Sequence, residues 1–564
     1  MIISSFPPAP STSMLLILLI LAGSVSASQQ ALSTPNTLSS ISWKSCGHLG
    51  SYNLECGRLS VPLDYVNPST GTASLSILRL LADPMKRRGS LFANFGGPGV
   101  PGTGDWMRIR APEMMEQSGG EYDIVSWDIR GVNDTTPGVK CFDSQEAADK
   151  FWAGSLWYKG VETNSSLRSS YDRNNFYSHV HSEDVRLRAL WKRCESLSGD
   201  VLPYVGTAAN ARDVASMVDA IDGAGSEINY WGFSYGSILG QYITALFPDR
   251  LGKIIIDGIV YAPKWSVEPA VDFYNKLLTD TDKTYDGFVS LCAKAGPDGC
   301  ALASVNSTRS SIKSDIEGLL LALYDPHYSK LPKELSRSST VKAEIFMSLQ
   351  SPRSWSQLAD YLRSQKDFVK AAGDASELLA IDAVVRARDA LRHATIMERH
   401  ELKWYWDSEF YSNYWSIVCS DAPDDNGTTT LDLFDTIVQA RERSILFGPM
   451  WPTEGSWPCH RSSIRAVERV TDFRVKPKHS VLILSNVYDP VTSIENGIEV
   501  LHKSFPKGDA GLGIRDGYGH CSYSMNSTCI VGVIQAYMRN WTLPGIDMKA
   551  CPTEENLFPS KSML

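Results

Sequence analysis

Residues 227–248 read EINYWGFSYGSILGQYITALFP, and within them Gly232, Ser234 and Gly236 spell G-F-S-Y-G. At ordinary glycine and serine usage, a chain of 564 residues carries on the order of 0.3 such pentapeptides by accident, so the five letters mean little alone. Their surroundings mean more. INYWGF is a short apolar run of strand type, and SILGQYITALFPDR reads as a helix with Ile238, Leu239, Tyr242, Ile243, Leu246 and Phe247 on one face until Pro248 stops it. A serine on a tight turn between strand and helix presents its Oγ in a strained, exposed conformation, and flanking glycines let the two elements approach.

A serine hydroxyl is a poor nucleophile at neutral pH unless a base takes its proton, so a histidine and an orienting acid are required. On such a scaffold they follow the serine in the order acid, histidine. Only ten histidines are present. His520, in DGYGHCSYS, follows the last strand-like run, and Asp489, in SNVYDPVTS, follows the one before it. Asp257, in IIIDG, ends the strand after the serine and is the rival acid. His393 and His400 fall in a helical stretch and His460 beside Cys459, which makes them poorer bases. A negative oxygen developing in acyl transfer needs preorganised N–H donors. FANFGGPGVPGTGDW provides a glycine-rich turn with amides around Gly96 and Gly97, and the residue after the serine, Tyr235, provides another.

SLFANF, YDIVSWD, INYWGF, KIIIDGIV and VLILSNVYD are short and apolar, as parallel strands buried on both faces are, while RLSVPLDY and ASLSILRLLA look like opening antiparallel strands. The late strand pattern includes GLGIRDGYG, and between the two strand-rich regions residues 265–410 read as helices, including SWSQLADYLRSQKDFVKAA and ASELLAIDAVVRARDALRHA. The expected fold class is therefore α/β, a mostly parallel central sheet flanked by helices. Its expected segments are a signal peptide (1–27), a core part with the nucleophile (28–264), a helical cap insertion (265–410) and a C-terminal core part with acid and histidine (411–564).

The apolar run Met14–Val25 ends in Val25-Ser26-Ala27, the small residues a signal peptidase needs, and at about 12 residues it falls short of the roughly 20 that span a bilayer. No Lys or Arg precedes Met14, which leaves Met1 and Met14 both open as starts. Secretion with no stable membrane anchor is the expectation. N-x-S/T sequons at Asn133, Asn164, Asn306, Asn426, Asn526 and Asn540 agree with that route. Eleven cysteines without C-x-x-C suggest five disulfides and one thiol. Cys46 with Cys56 and Cys292 with Cys300 are the local pairs. The further expectation is Cys141 with Cys194, Cys419 with Cys459 and Cys529 with Cys551, with Cys521 free, although spacing alone does not determine connectivity.

A net charge of −9 with dispersed Lys and Arg argues against a nucleic-acid partner. HELKW, from His400, opens like a zinc-binding H-E-x-x-H but lacks the second histidine, and neither a dinucleotide turn nor a P-loop is found. No metal and no cofactor are implied.

ECGRLSVPLDYVNP, FGGPGVPGTG, DIVSWDIRGVNDTTP, TAANARDVASMVDAI, NYWGFSYGSILGQY, DPVTSIENG and DGYGHCSYS together resemble the α/β-hydrolase superfamily. More narrowly, they resemble the secreted serine peptidases related to tripeptidyl aminopeptidase and prolyl aminopeptidase. The resemblance covers most of the mature chain. It implies Ser234, Asp489 and His520 as the triad, Gly97 and Tyr235 as the oxyanion hole, and removal of residues or short peptides from free N-termini. Phe95 stands where prolyl aminopeptidases usually carry His before G-G-P-G, which keeps the N–H donors but loosens any transfer of proline specificity. An exopeptidase binds an α-ammonium, for which Glu401, Asp407 and Glu409 in HELKWYWDSEFYSNYWS are candidates. The expected partner is a peptide or small acyl substrate. An ester, lactone or amide hydrolase is the alternative within enzymes, and a silent binding protein of the same fold the alternative outside them.

Overall fold

The computed structural model describes residues 40–161, 167, 169–274, 278–324, 338–374, 408–425, 427–450, 455–545 and 549–560. The apolar runs form β4 (Gly89–Asn94), β5 (Tyr122–Trp127), β6 (Ile228–Phe233), β7 (Leu251–Asp257) and β8 (Val481–Tyr488). β4, β5 and β7 are buried at every residue, as strands covered on both faces must be. By contrast β2 (Tyr52–Pro62) and β3 (Thr72–Leu80) mix buried with more exposed positions and pair antiparallel, with β1 (Lys44–Leu49) outside them. β9 (Ala510–Tyr518) and β10 (Cys551–Pro552) complete a ten-stranded sheet of order β1-β2-β3-β5-β4-β6-β7-β8-β9-β10.

From β5 through β10 every pairing is parallel. The chain skips a place between β3 and β4, and β5 returns to fill it, so the order reverses beside β4. Reversal opens a crevice at the carboxyl ends of β4 and β6, where side chains from following loops converge.

The helix after β6 spans Tyr235–Leu246, and Tyr235–Thr244 are buried all round rather than along one face. The expected single apolar face is corrected here, because the Thr207–Ile221 helix packs against this helix in addition to the sheet. Close approach depends on Gly236, where a Cβ would lie 2.5 Å from the Asn94 carbonyl oxygen.

Between β7 and β8 run helices that include Thr281–Gly299, Arg309–Ala322, Ser338–Gln350 and Trp355–Asp374. These bury Phe288, Ile316, Ile345, Trp355 and Leu362 in a cluster of their own. The later Ser408–Asp421 and Thr430–Ala440 helices instead add Trp415, Ile417, Leu433 and Phe434 to the main core. Disulfides join Cys46–Cys56, Cys141–Cys194, Cys292–Cys300, Cys419–Cys459 and Cys529–Cys551, the pairs expected from the sequence, and Cys521 is free and buried. Among the described residues no helix is long and apolar enough to cross a membrane.

Gly236→Ala tests the close approach. Alanine gains about 1 kcal/mol of helix propensity, but a methyl driven into backbone costs about 1–3 kcal/mol. A net loss is expected, read as a lower denaturation midpoint at unchanged slope; an unchanged or raised midpoint would contradict it.

Candidate active site

Ser234 adopts φ 56° and ψ −120°, a conformation that non-glycine residues rarely hold without surrounding support. Support comes from three sides. Its N–H donates to the Asp257 carbonyl at 2.9 Å, the Ser237 N–H donates to its carbonyl at 2.8 Å, and Tyr230 Oη donates to the Gly236 carbonyl at 2.8 Å. Between Tyr230 and Thr244 it is the one residue that is not buried. The chain thus exposes a single side chain from an otherwise closed strand and helix.

β4 neighbours β6, so the glycine-rich turn after β4 meets this serine. A Cβ on Gly96 would lie 2.9 Å from Ser234 Cβ and 3.4 Å from its Oγ, so only glycine fits there. The Gly96 N–H donates to Asn94 Oδ1 at 3.0 Å. The Gly97 and Tyr235 amides, in contrast, make no hydrogen bond among the described residues.

β8 and β9 are neighbours, which brings the loops after them together. His520 Nδ1 lies 3.0 Å from Asp489 Oδ2 and 3.1 Å from Oδ1. The carboxyl of Asp489 is fully buried and accepts the Val491 N–H at 2.9 Å, the Thr492 N–H and Oγ1–H at 2.8 Å each, and the Cys521 N–H at 3.0 Å. Burial alone would raise its pKa, but His520 and these donors outweigh burial and hold it below the usual carboxylate range. With Nδ1 turned to the acid, Nε2 is the nitrogen left to exchange protons. Among the described residues His520 makes no hydrogen bond to Ser234 Oγ; such contacts often tighten only when substrate is bound.

The rival acid, Asp257, does not pair with His520. Its carboxyl accepts the Ser522 N–H at 2.8 Å and the Ser522 hydroxyl, and burial pushes it up to about 6. His460 is buried with its Nε2 on Thr430 Oγ1 at 2.8 Å, and burial pushes it down to about 3. Among the described residues no group of three His, Cys, Asp or Glu is placed to hold a metal ion.

Residues 444–551, which contain both Asp489 and His520, match the family model described as "TAP-like protein". Over that segment the chain is similar to TAP-like proteins. The chain is 27% identical over 348 residues to "Serine protease Hip1" of Mycobacterium tuberculosis, an alignment covering 59% of this chain and 59% of that relative's length. It is 28% identical over 227 residues to "Tripeptidyl aminopeptidase" of Streptomyces lividans, covering 39% and 38% of the two chains. It is also 23% identical over 537 residues to "Carboxylesterase B" of M. tuberculosis, covering 91% and 90%.

Of the other site residues expected from the sequence, Glu409 lies at the start of the Ser408–Asp421 helix and is exposed, whereas Glu401 and Asp407 lie outside the described residues. Asn133, Asn306, Asn526 and Asn540 are exposed; Asn164, Asn426 and residues 1–27 lie outside the described residues. The sequence reading passed over Thr492, whose Oγ1 donates to Asp489 Oδ2 and lies 3.3 Å from His520 Nδ1. A threonine three residues after the aspartate, as in DPVT, is a local side-chain-to-backbone pattern that signals such a turn.

A carboxyl held below the ordinary value of about 3.9 stabilises the fold above that pH and loses the contribution as pH falls through its folded value. Asp489→Asn is accordingly expected to cost about 1–3 kcal/mol at pH 7 and to converge on wild type as acid protonates the native carboxylate. Thermal melts between pH 7 and pH 3 check this, and a constant difference across the range would contradict it.

Proposed function

We propose that this protein is a secreted serine hydrolase, acting as an aminopeptidase that releases residues or short peptides from free N-termini. The observation that carries the reading is the buried Asp489 carboxylate gripping His520 Nδ1 at 3.0 Å in loops at the same carboxyl end of the sheet that exposes Ser234. Ser234 Oγ attacks the scissile carbonyl while His520 Nε2 accepts its proton and passes it to the leaving amine. The amides of Gly97 and Tyr235 take up the negative oxygen, and water then cleaves the acyl-enzyme by the same base. Asp489 orients the imidazole and stabilises its charged form.

The described helices of segment 265–410 serve as a cap over the carboxyl ends of the strands. Two contacts support this: the Gln350 carbonyl accepts the His520 N–H at 2.9 Å, and the Phe410 carbonyl comes within 3.2 Å of where a Gly99 Cβ would be. A roof on both halves of the site favours chain ends over mid-chain segments. Glu409, with Glu401 and Asp407, is the proposed receptor for the substrate's α-ammonium. Five disulfides, the Met14–Val25 run and the six sequons support passage through an oxidising, glycosylating route, with cleavage after Ala27. The likeness to Carboxylesterase B, which extends over 91% of this chain, favours ester hydrolysis as the second reading.

Wild type is expected to be labelled by a fluorophosphonate, which forms an Oγ–P bond as fluoride leaves, and Ser234→Ala is expected to lose all labelling. Absence of labelling in folded wild type would falsify the hydrolase reading. Free and N-acetylated peptide amides set beside short acyl esters separate the two substrates: an aminopeptidase cleaves the free peptides at least about tenfold faster than the blocked ones, one hydrogen-bonded charge being worth about that much. Equal cleavage of both, with faster turnover of esters, would replace the peptidase reading by the esterase one.

A further inference from the structure

Ser234 and His520 stand on different loops, one after β6 and one after β9, yet catalysis by the proposed route needs their separation fixed to a fraction of an ångström. One buried residue touches both loops. Asp257, the last residue of β7, accepts the Ser234 N–H on its backbone carbonyl at 2.9 Å, and Cys521 Sγ lies 3.8 Å from the same oxygen. Its carboxyl takes the Ser522 N–H at 2.8 Å and the Ser522 hydroxyl. Two successive amides of the histidine loop are thereby captured by two different carboxyls, Cys521 by Asp489 and Ser522 by Asp257.

The geometry points to Asp257 as a positioning residue: a strut at the end of β7 that holds the nucleophile turn through its main chain and the histidine loop through its carboxyl. This inference rests on the serine-hydrolase reading. The strut is rigid because β7 lies in the middle of the sheet, paired with β6 on one side and β8 on the other. The loop needs it because Cys521 holds φ 63°, a conformation with little intrinsic preference for a cysteine. Other restraints hold that loop from elsewhere: the Gly519 N–H donates to the Tyr488 carbonyl at 3.1 Å and the His520 N–H to the Gln350 carbonyl at 2.9 Å, Asn486 Nδ2 donates to the Gly519 and Cys521 oxygens at 2.7 Å each, and Arg515 donates to those of Tyr518, Ser522 and Met525. None of these contacts Ser234.

The strut also carries charge. Burial, with a smaller push from Asp489, keeps the Asp257 carboxyl at about 6 against the pull of Ser522 and of Arg515 on β9. The other titratable groups facing it are Cys521 and Tyr523 on the histidine loop, with Arg110 of the Asp105–Gln117 helix stacked on the Tyr523 ring at 4.3 Å.

The test is the second-order rate of fluorophosphonate labelling as a function of pH for wild type, Asp257→Ala, Asp257→Asn, Ser522→Ala and the Asp257→Ala/Ser522→Ala double variant. A strut predicts about 10- to 100-fold slower labelling of Asp257→Ala at neutral pH, the effect of a misplaced reacting group. Asp257→Asn, which keeps an acceptor for the Ser522 N–H, restores most of that rate. The double variant is no slower than the slower single one, because both remove the same link. Wild-type labelling rates in Asp257→Ala, no rescue in Asp257→Asn, or additive losses in the double variant would each overturn the inference. A wild type that is never labelled removes the hydrolase reading itself, so the two failures are distinguishable.

Discussion

Holding a serine in the left-handed half of conformational space costs about 1–3 kcal/mol, and the architecture around Ser234 is what makes that conformation the stable one. Its N–H is tied to β7, its carbonyl to the first turn of the following helix, and the residues before and after it are packed on all sides. The reversal of strand order beside β4 then delivers a glycine turn so close that a methyl group at position 96 would collide with the serine. Sheet order, the glycine turn and the buried helix are three expressions of one steric condition.

Burial alone does not decide the charge of a group here; the number of donors does. Asp489 and Asp257 are both fully buried and a loop apart, yet they are pushed in opposite directions. Asp489 receives three backbone or side-chain donors from its own turn, an amide from Cys521 and the imidazole, enough to offset desolvation. Asp257 receives one residue's amide and hydroxyl, which is not enough. His460 illustrates the remaining case: a histidine enclosed beside Arg461 with one hydroxyl partner is driven so far down that it cannot act as a base near neutrality.

Much of this was legible in the amino-acid order because it depends on local pattern. Apolar runs buried on both faces read as parallel strands, the mixed pattern of β2 and β3 as an antiparallel pair, and strand-serine-helix as a turn. The successive placement of Ser234, Asp489 and His520 followed from the direction in which such a sheet is wound. What escaped depends on partners distant in the chain. All-round burial of the Tyr235–Leu246 helix requires the Thr207–Ile221 helix, and nothing within the segment reports it. The two residues of β10 become a strand only by pairing with β9. Asp257 reads as a possible acid from its place at a strand end; that it faces Ser522 rather than His520 is a matter of loop conformation at Cys521.

The bond from the His520 N–H to the Gln350 carbonyl ties the base to the last residue of the Ser338–Gln350 helix. Displacing that helix would break the bond or drag the imidazole away from Asp489, so a cap of the kind proposed would admit substrate more readily beside this helix than by lifting it.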